Sequence, residues 1–137
     1  MKVAIRYYTR TGNTKKLADA IAEAVDVEAK DTSVPLEESV DILFMGSSVY
    51  AAGVDEAVKR FLADNREKIG TLYNFSTAAL LSSTYKQIQK LAGEQGIKVA
   101  GEEFHCRGSF AMMHKGRPDK DDLAAAAVFA KKICDLL

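Results

Sequence analysis

The sequence predicts a doubly wound α/β domain in three layers, with a parallel sheet of five strands in the order 2-1-3-4-5 covered by helices on both faces. Three observations carry this. Apolar runs suited to buried strands alternate with segments of helical periodicity along the whole chain. Right-handed crossovers return each successive strand to the same direction. At 137 residues, 47% hydrophobic and 28% charged, the chain has the size and composition of one ordinary domain, so residues 1–137 are read as a single unit.

Lys2 to Tyr8 reads as a first buried strand. Asn13 to Val25 then places Leu17, Ala20, Ile21, Ala24 and Val25 on one helical face. Val27 to Ala29 is a short second strand, and Asp41 to Ser48, centred on Ile42, Leu43, Phe44 and Met45, a third strand buried on both faces. From Val54 to Ile69 the apolar residues Val54, Ala57, Val58, Phe61 and Leu62 follow helical spacing. Thr71 to Leu81 supplies a fourth strand, Tyr85 to Glu94 a helix with Ile88, Leu91 and Ala92 inward, and Ile97 to Cys106 a fifth strand. Asp119 is suited to cap a last helix running nearly to Leu137, with Asp122 in its first turn.

Charge and cysteine usage exclude several classes. Lysine plus arginine and aspartate plus glutamate both total 19, so no charge excess points to nucleic acid or to an anionic membrane. The amino-terminal stretch carries Lys2, Arg6 and Arg10, which interrupt any secretory apolar core, and no apolar run approaches membrane-spanning length. A cytoplasmic protein is the expectation. Cys106 and Cys134 form neither a C-x-x-C motif nor a four-ligand zinc pattern, and both read as reduced, packed thiols. His105 and His114 have no metal-like partner pattern, and Met112 and Met113 read as packing or partner-surface residues.

In such a sheet ligands bind beyond the carboxyl ends of the strands, near the point where strand order reverses between the first and third strands. The loops to search are Thr9 to Thr14, Ser47 to Gly53, Ser76 to Thr84 and Arg107 to Lys120. Thr9-Arg10-Thr11-Gly12-Asn13-Thr14 is the most informative, because it follows a strand directly and opens a helix. Backbone N–H groups there lack intrahelical partners, threonine hydroxyls add donors, Gly12 permits close approach, and the helix dipole favours an anion. The competing reading is a helix start preceded by a hydroxyl-rich turn.

This T-x-T-G-N-T loop, after an apolar strand near the amino terminus, resembles the FMN-phosphate loop of the flavodoxin family. Met45-Gly46-Ser47-Ser48-Val49-Tyr50 is similar to the family's second flavin loop, and Glu103 to Phe110 to its last strand and exit. The resemblance implies a flavodoxin-like fold and FMN as cofactor. Thr9, Arg10, Thr11, Gly12, Asn13 and Thr14 would surround the phosphate, and Ser48, Val49, Tyr50, Ala51, Ala52 and Gly53 would border the isoalloxazine ring. It also implies electron transfer between redox protein partners, with no catalytic side chain and no metal.

The chain departs from the family in three places. Tyr50 is the evident stacking residue, while Ser76 to Thr84 contains no aromatic and Tyr85 lies just beyond; one ring stack contributes about 0.5–1.5 kcal/mol beyond burial. Ala51-Ala52 stands where the family often has a glycine-containing peptide that turns over, and a left-handed conformation costs alanine about 1–2 kcal/mol unless Gly53 serves instead. The mouth carries Arg10, Lys15, Lys16, Arg107, Lys115 and Arg117 against Asp55, Asp119 and Asp121, which predicts either a basic rim that raises the flavin potential or side chains that simply extend into solvent.

The competing functions are a small FMN-dependent reductase and a flavodoxin-like partner-binding domain that has lost FMN. A signalling receiver needs an acid cluster at strand ends that Tyr7-Tyr8-Thr9 and Gly46-Ser47-Ser48 do not supply. A low-molecular-weight phosphatase needs a cysteine in the first loop, which has none.

Overall fold

The structure is a computed structural model. It describes residues 1–50, 53–78, 83–109 and 115–136, without the side chains of 49, 50 and 53. In chain order the elements are β1 (Val3–Tyr7), α1 (Asn13–Val25), β2 (Ala29–Asp31), β3 (Val40–Tyr50), β4 (Gly53–Val54), α2 (Glu56–Asn65), a 3-10 turn (Arg66–Lys68), β5 (Ile69–Ala78), α3 (Tyr85–Glu94), β6 (Lys98–Val99), β7 (Phe104–Arg107) and α4 (Lys120–Leu136).

Strands β2, β1, β3 and β5 lie side by side in that order and parallel. β6 joins the start of β5 at Thr71 and Leu72, and β7 joins its end from Phe75 to Ala78, so the two share the fifth position in the sheet. The expected order 2-1-3-4-5 is the order found. The expected continuous fifth strand, Ile97 to Cys106, is instead divided: after the Ala100 amide bonds to the Leu72 carbonyl, the chain leaves the ladder and returns at Phe104. Glu103 in the gap accepts from Asn74 Nδ2 at 3.2 Å and Ser83 Oγ at 2.6 Å. β4 folds back antiparallel on the end of β3, pairing Val49 with Val54 and Tyr50 with Gly53.

Side chains alternate across β3, and the core divides accordingly. Ile42 and Phe44 pack with Ile5, Leu17, Ile21, Phe75 and Ile133 beneath α1 and α4. Leu43 and Met45 pack with Val58, Leu62, Leu72 and Ile88 beneath α2 and α3. Each such side chain, fully buried, stabilises the fold by about 1.5–3 kcal/mol. The buried stripe of α1 is Leu17, Ala18 and Ile21, turned slightly from the expected face: Ala20, Ala24 and Val25 are only half-buried. One buried residue in β1 is charged. Arg6 is 5% exposed and donates to the carbonyls of Ile5, Val34 and Pro35, so its charge is satisfied while it ties the β2–β3 connection to the sheet.

At the carboxyl ends of the sheet, Gly46 permits a close approach. A Cβ there would lie 2.4 Å from the Phe75 ring and 2.9 Å from Thr14 Cγ2. Both neighbours are fully buried. Gly46→Ala is therefore expected to lower stability by about 1–3 kcal/mol through overpacking, seen as a lower chemical denaturation midpoint with unchanged slope.

Candidate functional site

The first loop leaves β1 with the Tyr8 amide bonded to the Gly46 carbonyl, and it closes at Gly12. Gly12 takes φ 89° and ψ −4°, the left-handed region that glycine occupies without strain, and a Cβ there would meet nothing within 4 Å. Thr9 Oγ1 accepts from the Gly12 amide at 3.0 Å and Thr11 Oγ1 from the Asn13 amide at a long 3.5 Å. Each hydroxyl thus acts as an acceptor toward the loop and keeps its own hydrogen to donate elsewhere. Helix α1 begins without a side-chain cap and with no acidic residue in its first turn. α3 starts in the same way, with no cap from Thr84, no first-turn acid, and Ser83 Oγ accepting from the Tyr85 amide as Thr11 does from Asn13. α2 and α4 differ: Asp55 caps α2, with Glu56 following, and Asp119 and Asp122 bond reciprocally to each other's amides at the start of α4.

The remaining loop side chains hold the loop in place. Asn13, 5% exposed, donates Nδ2 to the Ser109 carbonyl at 2.9 Å. Thr14 is fully buried, its hydroxyl 2.6 Å from Ser48 Oγ and 3.0 Å from Thr77 Oγ1, and those two lie 3.0 Å apart. Arg10 Nη2 lies 2.6 Å from Asp55 Oδ2. Of the residues read as a phosphate loop, Thr9, Thr11 and Gly12 line the turn, whereas the side chains of Arg10, Asn13 and Thr14 bond to the surrounding scaffold. Of the second group, Ser48 belongs to the hydroxyl triangle. Val49, Tyr50 and Gly53 lie on the β3–β4 hairpin, and Ala51 and Ala52 fall outside the described residues.

Thr77 and Asp55 are contributions that the loop motifs did not single out. Their signal was present in the strands: Ser47-Ser48 and Ser76-Thr77, which pair in register, end strands that are otherwise apolar. A run of hydroxyls where both faces are buried demands partners. On the opposite face from the triangle, Ser47 Oγ lies 2.9 Å from Thr84 Oγ1, and Asn74 donates to the same oxygen at 3.1 Å. Tyr85, the aromatic just beyond the third loop, donates its hydroxyl to the Ala100 carbonyl at 2.9 Å, which directs it to the sheet edge.

Of the six cations named at the mouth, three are held in ion pairs. Arg10 is paired with Asp55, Lys15 with Asp19 at 2.7 Å, and Arg117 with Asp122 at 2.6 Å and Asp119 at 3.7 Å. Asp55, Asp19, Asp119 and Asp122 neutralise these three cations locally. His105 Nδ1 lies 2.9 Å from Glu103 Oε1 at the surface, while Met112, Met113 and His114 fall outside the described residues. Cys106 lines a cleft of about 360 Å³ between β7 and α4, with Arg117 and Asp122 on its wall. Burial pushes its thiol up to about 12, so it is a neutral core group at physiological pH. Cys134 packs at the margin of the same core.

Asp122 yields a stability prediction. The Arg117 guanidinium holds its carboxyl below the ordinary carboxylate range against the opposing effect of burial, and the Asp119 amide adds to this. A lowered folded-state value stabilises the fold above the unfolded value and loses that contribution as pH falls through the folded one. Asp122→Ala should therefore cost about 1–2 kcal/mol near pH 7. Denaturation midpoints of the two proteins should begin to converge only as pH falls below the ordinary carboxylate value of about 4, and meet below the lowered folded-state one.

Comparison with known proteins agrees with this geometry. The sequence profile described as "Flavodoxin domain" matches residues 4–104. An uncharacterized protein of Methanocaldococcus jannaschii is 28% identical over 148 aligned positions, covering 97% of this chain and 98% of that one. Among solved structures, oxidised Flavodoxin 1 from Bacillus cereus superposes with a TM-score of 0.75 at 18% identity, over 100% of this chain and 99% of its own. A flavodoxin from the domain Archaea gives 0.74 at 18% identity, over 99% and 98%. Among the described residues no helix is long and apolar enough to cross a membrane. With the profile spanning most of the sheet and the loop after β1 at the start of α1, the chain belongs to the flavodoxin domain family.

Proposed function

We propose that this protein binds FMN with its phosphate at the start of α1 and serves as a cytoplasmic electron carrier between redox protein partners. The observation that carries the reading is the uncapped start of α1 taken together with its exposed hydroxyl loop and the left-handed Gly12. The helix has neither a side-chain cap nor a first-turn acid, in a loop whose hydroxyls retain hydrogens to donate. The amides of Thr14 and Lys15, the hydroxyls of Thr9 and Thr11, and the backbone at Gly12 would hold the phosphate, so the donor set fits the group. The hairpin from Ser48 to Gly53 would border the ring, with Tyr50 against it. FMN, when bound, supplies one- and two-electron chemistry that no side chain here provides. The chain's own contribution is to bind, orient and shield it; no side chain is assigned a catalytic role.

Calorimetric titration of flavin-stripped protein with FMN and, separately, with riboflavin tests this. Saturable FMN binding, with riboflavin weaker by more than about tenfold, is expected from charge-assisted hydrogen bonds to the phosphate. No FMN binding would instead support a partner-binding domain.

Thr11→Val keeps the side-chain shape and removes one phosphate donor. It should weaken FMN about five- to tenfold while leaving the fold intact by circular dichroism. Unchanged affinity would remove Thr11 from the site.

A further inference from the structure

The loop after β1 is anchored twice, and the second anchor has a role beyond surface charge. Its inner end is fixed where Thr14 meets Ser48 and Thr77. Its outer end reaches across the mouth to the start of α2, where Arg10 Nη2 meets Asp55 Oδ2 at 2.6 Å. Asp55 is itself held rigidly: its other oxygen accepts from the Ala57 amide at 2.9 Å, and its side chain is only 14% exposed. It follows directly on the β3–β4 hairpin, in which Tyr50 is paired with Gly53. β1 and β3 are neighbours whose chains continue in opposite directions across the sheet, so the pair spans the crevice at the topological switch point.

We propose that Arg10 and Asp55 are positioning residues, a brace that sets the separation between the phosphate loop and the Tyr50 hairpin so that both ends of one ligand are engaged together. The inference rests on the FMN reading above. It reassigns Arg10: the guanidinium bonds to a mostly buried carboxylate, and moving it to a phosphate would strip Asp55 of its charged partner. The Ala57 amide, then the Arg10 guanidinium, hold the Asp55 carboxyl below the ordinary carboxylate range, which keeps the brace ionised at neutral pH. Tyr8, at the end of β1, interacts with both members and adds a third support.

The test uses Arg10→Ala, Asp55→Asn and the double variant; asparagine also caps helices, so α2 keeps its start. In flavin-free protein, amide hydrogen exchange should accelerate across the crevice: Asp55→Asn should speed the amides of residues 10–13, and Arg10→Ala those of 53 and 54. Each single variant should weaken FMN and riboflavin by the same factor, about two- to fivefold. The double variant should be no weaker than either single one. Three results would overturn the brace: weakening of FMN but not riboflavin by Arg10→Ala alone, which would make Arg10 a phosphate ligand; additive losses in the double variant; or no change in exchange across the crevice. Should the unmutated protein bind no FMN, the exchange measurement still decides, because cross-crevice acceleration supports the brace and its absence refutes it.

Discussion

Three buried hydroxyls govern the carboxyl end of this sheet. Thr14, Ser48 and Thr77 are 0%, 8% and 2% exposed, and each would cost about 1–3 kcal/mol if left without a partner. Their oxygens, 2.6, 3.0 and 3.0 Å apart, satisfy one another only when the first turn of α1 sits over the ends of β3 and β5. That requirement reaches back into the sequence. Gly46 must lack a side chain because Thr14 and the Phe75 ring occupy the space, and Gly108 sits where a Cβ would approach Asn13 Nδ2 at 3.0 Å and Thr77 Cβ at 3.1 Å. With Thr14 drawn down and Asn13 tied to Ser109, the segment from Thr9 to Gly12 faces outward above a rigid floor. The shape of the loop follows from what lies beneath it.

The starts of the helices then divide into two kinds. α2 and α4 each have a capping carboxylate that accepts an early amide, and acids in the first turn. Their exposed amides and positive dipole ends are answered within the protein. α1 and α3 are not answered in this way. What sets α1 apart is its outward-facing loop, in which Thr9 and Thr11 bond to amides of their own turn and leave the Thr14 and Lys15 amides without a side-chain cap, whereas Thr84 at the start of α3 is buried. A helix start that forgoes a stabilising cap of about 1 kcal/mol is consistent with a partner that arrives from outside.

Much of the architecture was legible because apolar periodicity reports burial. The bounds of α1 and α3, Asn13–Val25 and Tyr85–Glu94, are those the spacing predicts. The misreadings occur where a local device overrides the pattern. The second strand begins at Ala29 rather than Val27, because Asp26 is left-handed and the Val27 amide bonds back to Ala22, so this stretch caps α1 before the chain can extend. The fifth strand breaks because Glu103 answers Asn74 and Ser83, a demand invisible to hydrophobic spacing. In the site, the loop motif announces an anion cradle, but the division of labour within it does not show in one dimension: Arg10 and Asp55 are separated by 45 positions and Thr14 and Thr77 by 63. Nor does position in the chain show that Tyr85, just beyond the third loop, is directed to the sheet edge by the bond from its hydroxyl to the Ala100 carbonyl.

Those pairings also bear on how such a protein would meet others. Arg10, Lys15 and Arg117 at the mouth are matched by Asp55, Asp19 and Asp122, and lysine plus arginine and aspartate plus glutamate both total 19 over the whole chain. Exposed pairs of this kind produce fields that cancel beyond a Debye length of about 8 Å. Long-range steering, which in strongly charged systems raises association rates by about 10–1,000-fold, therefore has little to act on here. If the chain carries electrons as proposed, its encounters rely on shape and short-range contact at the carboxyl end of the sheet. Of the three pairs, Arg10 with Asp55 joins two loops, while Lys15 with Asp19 lies within α1 and Arg117 with Asp122 at the start of α4.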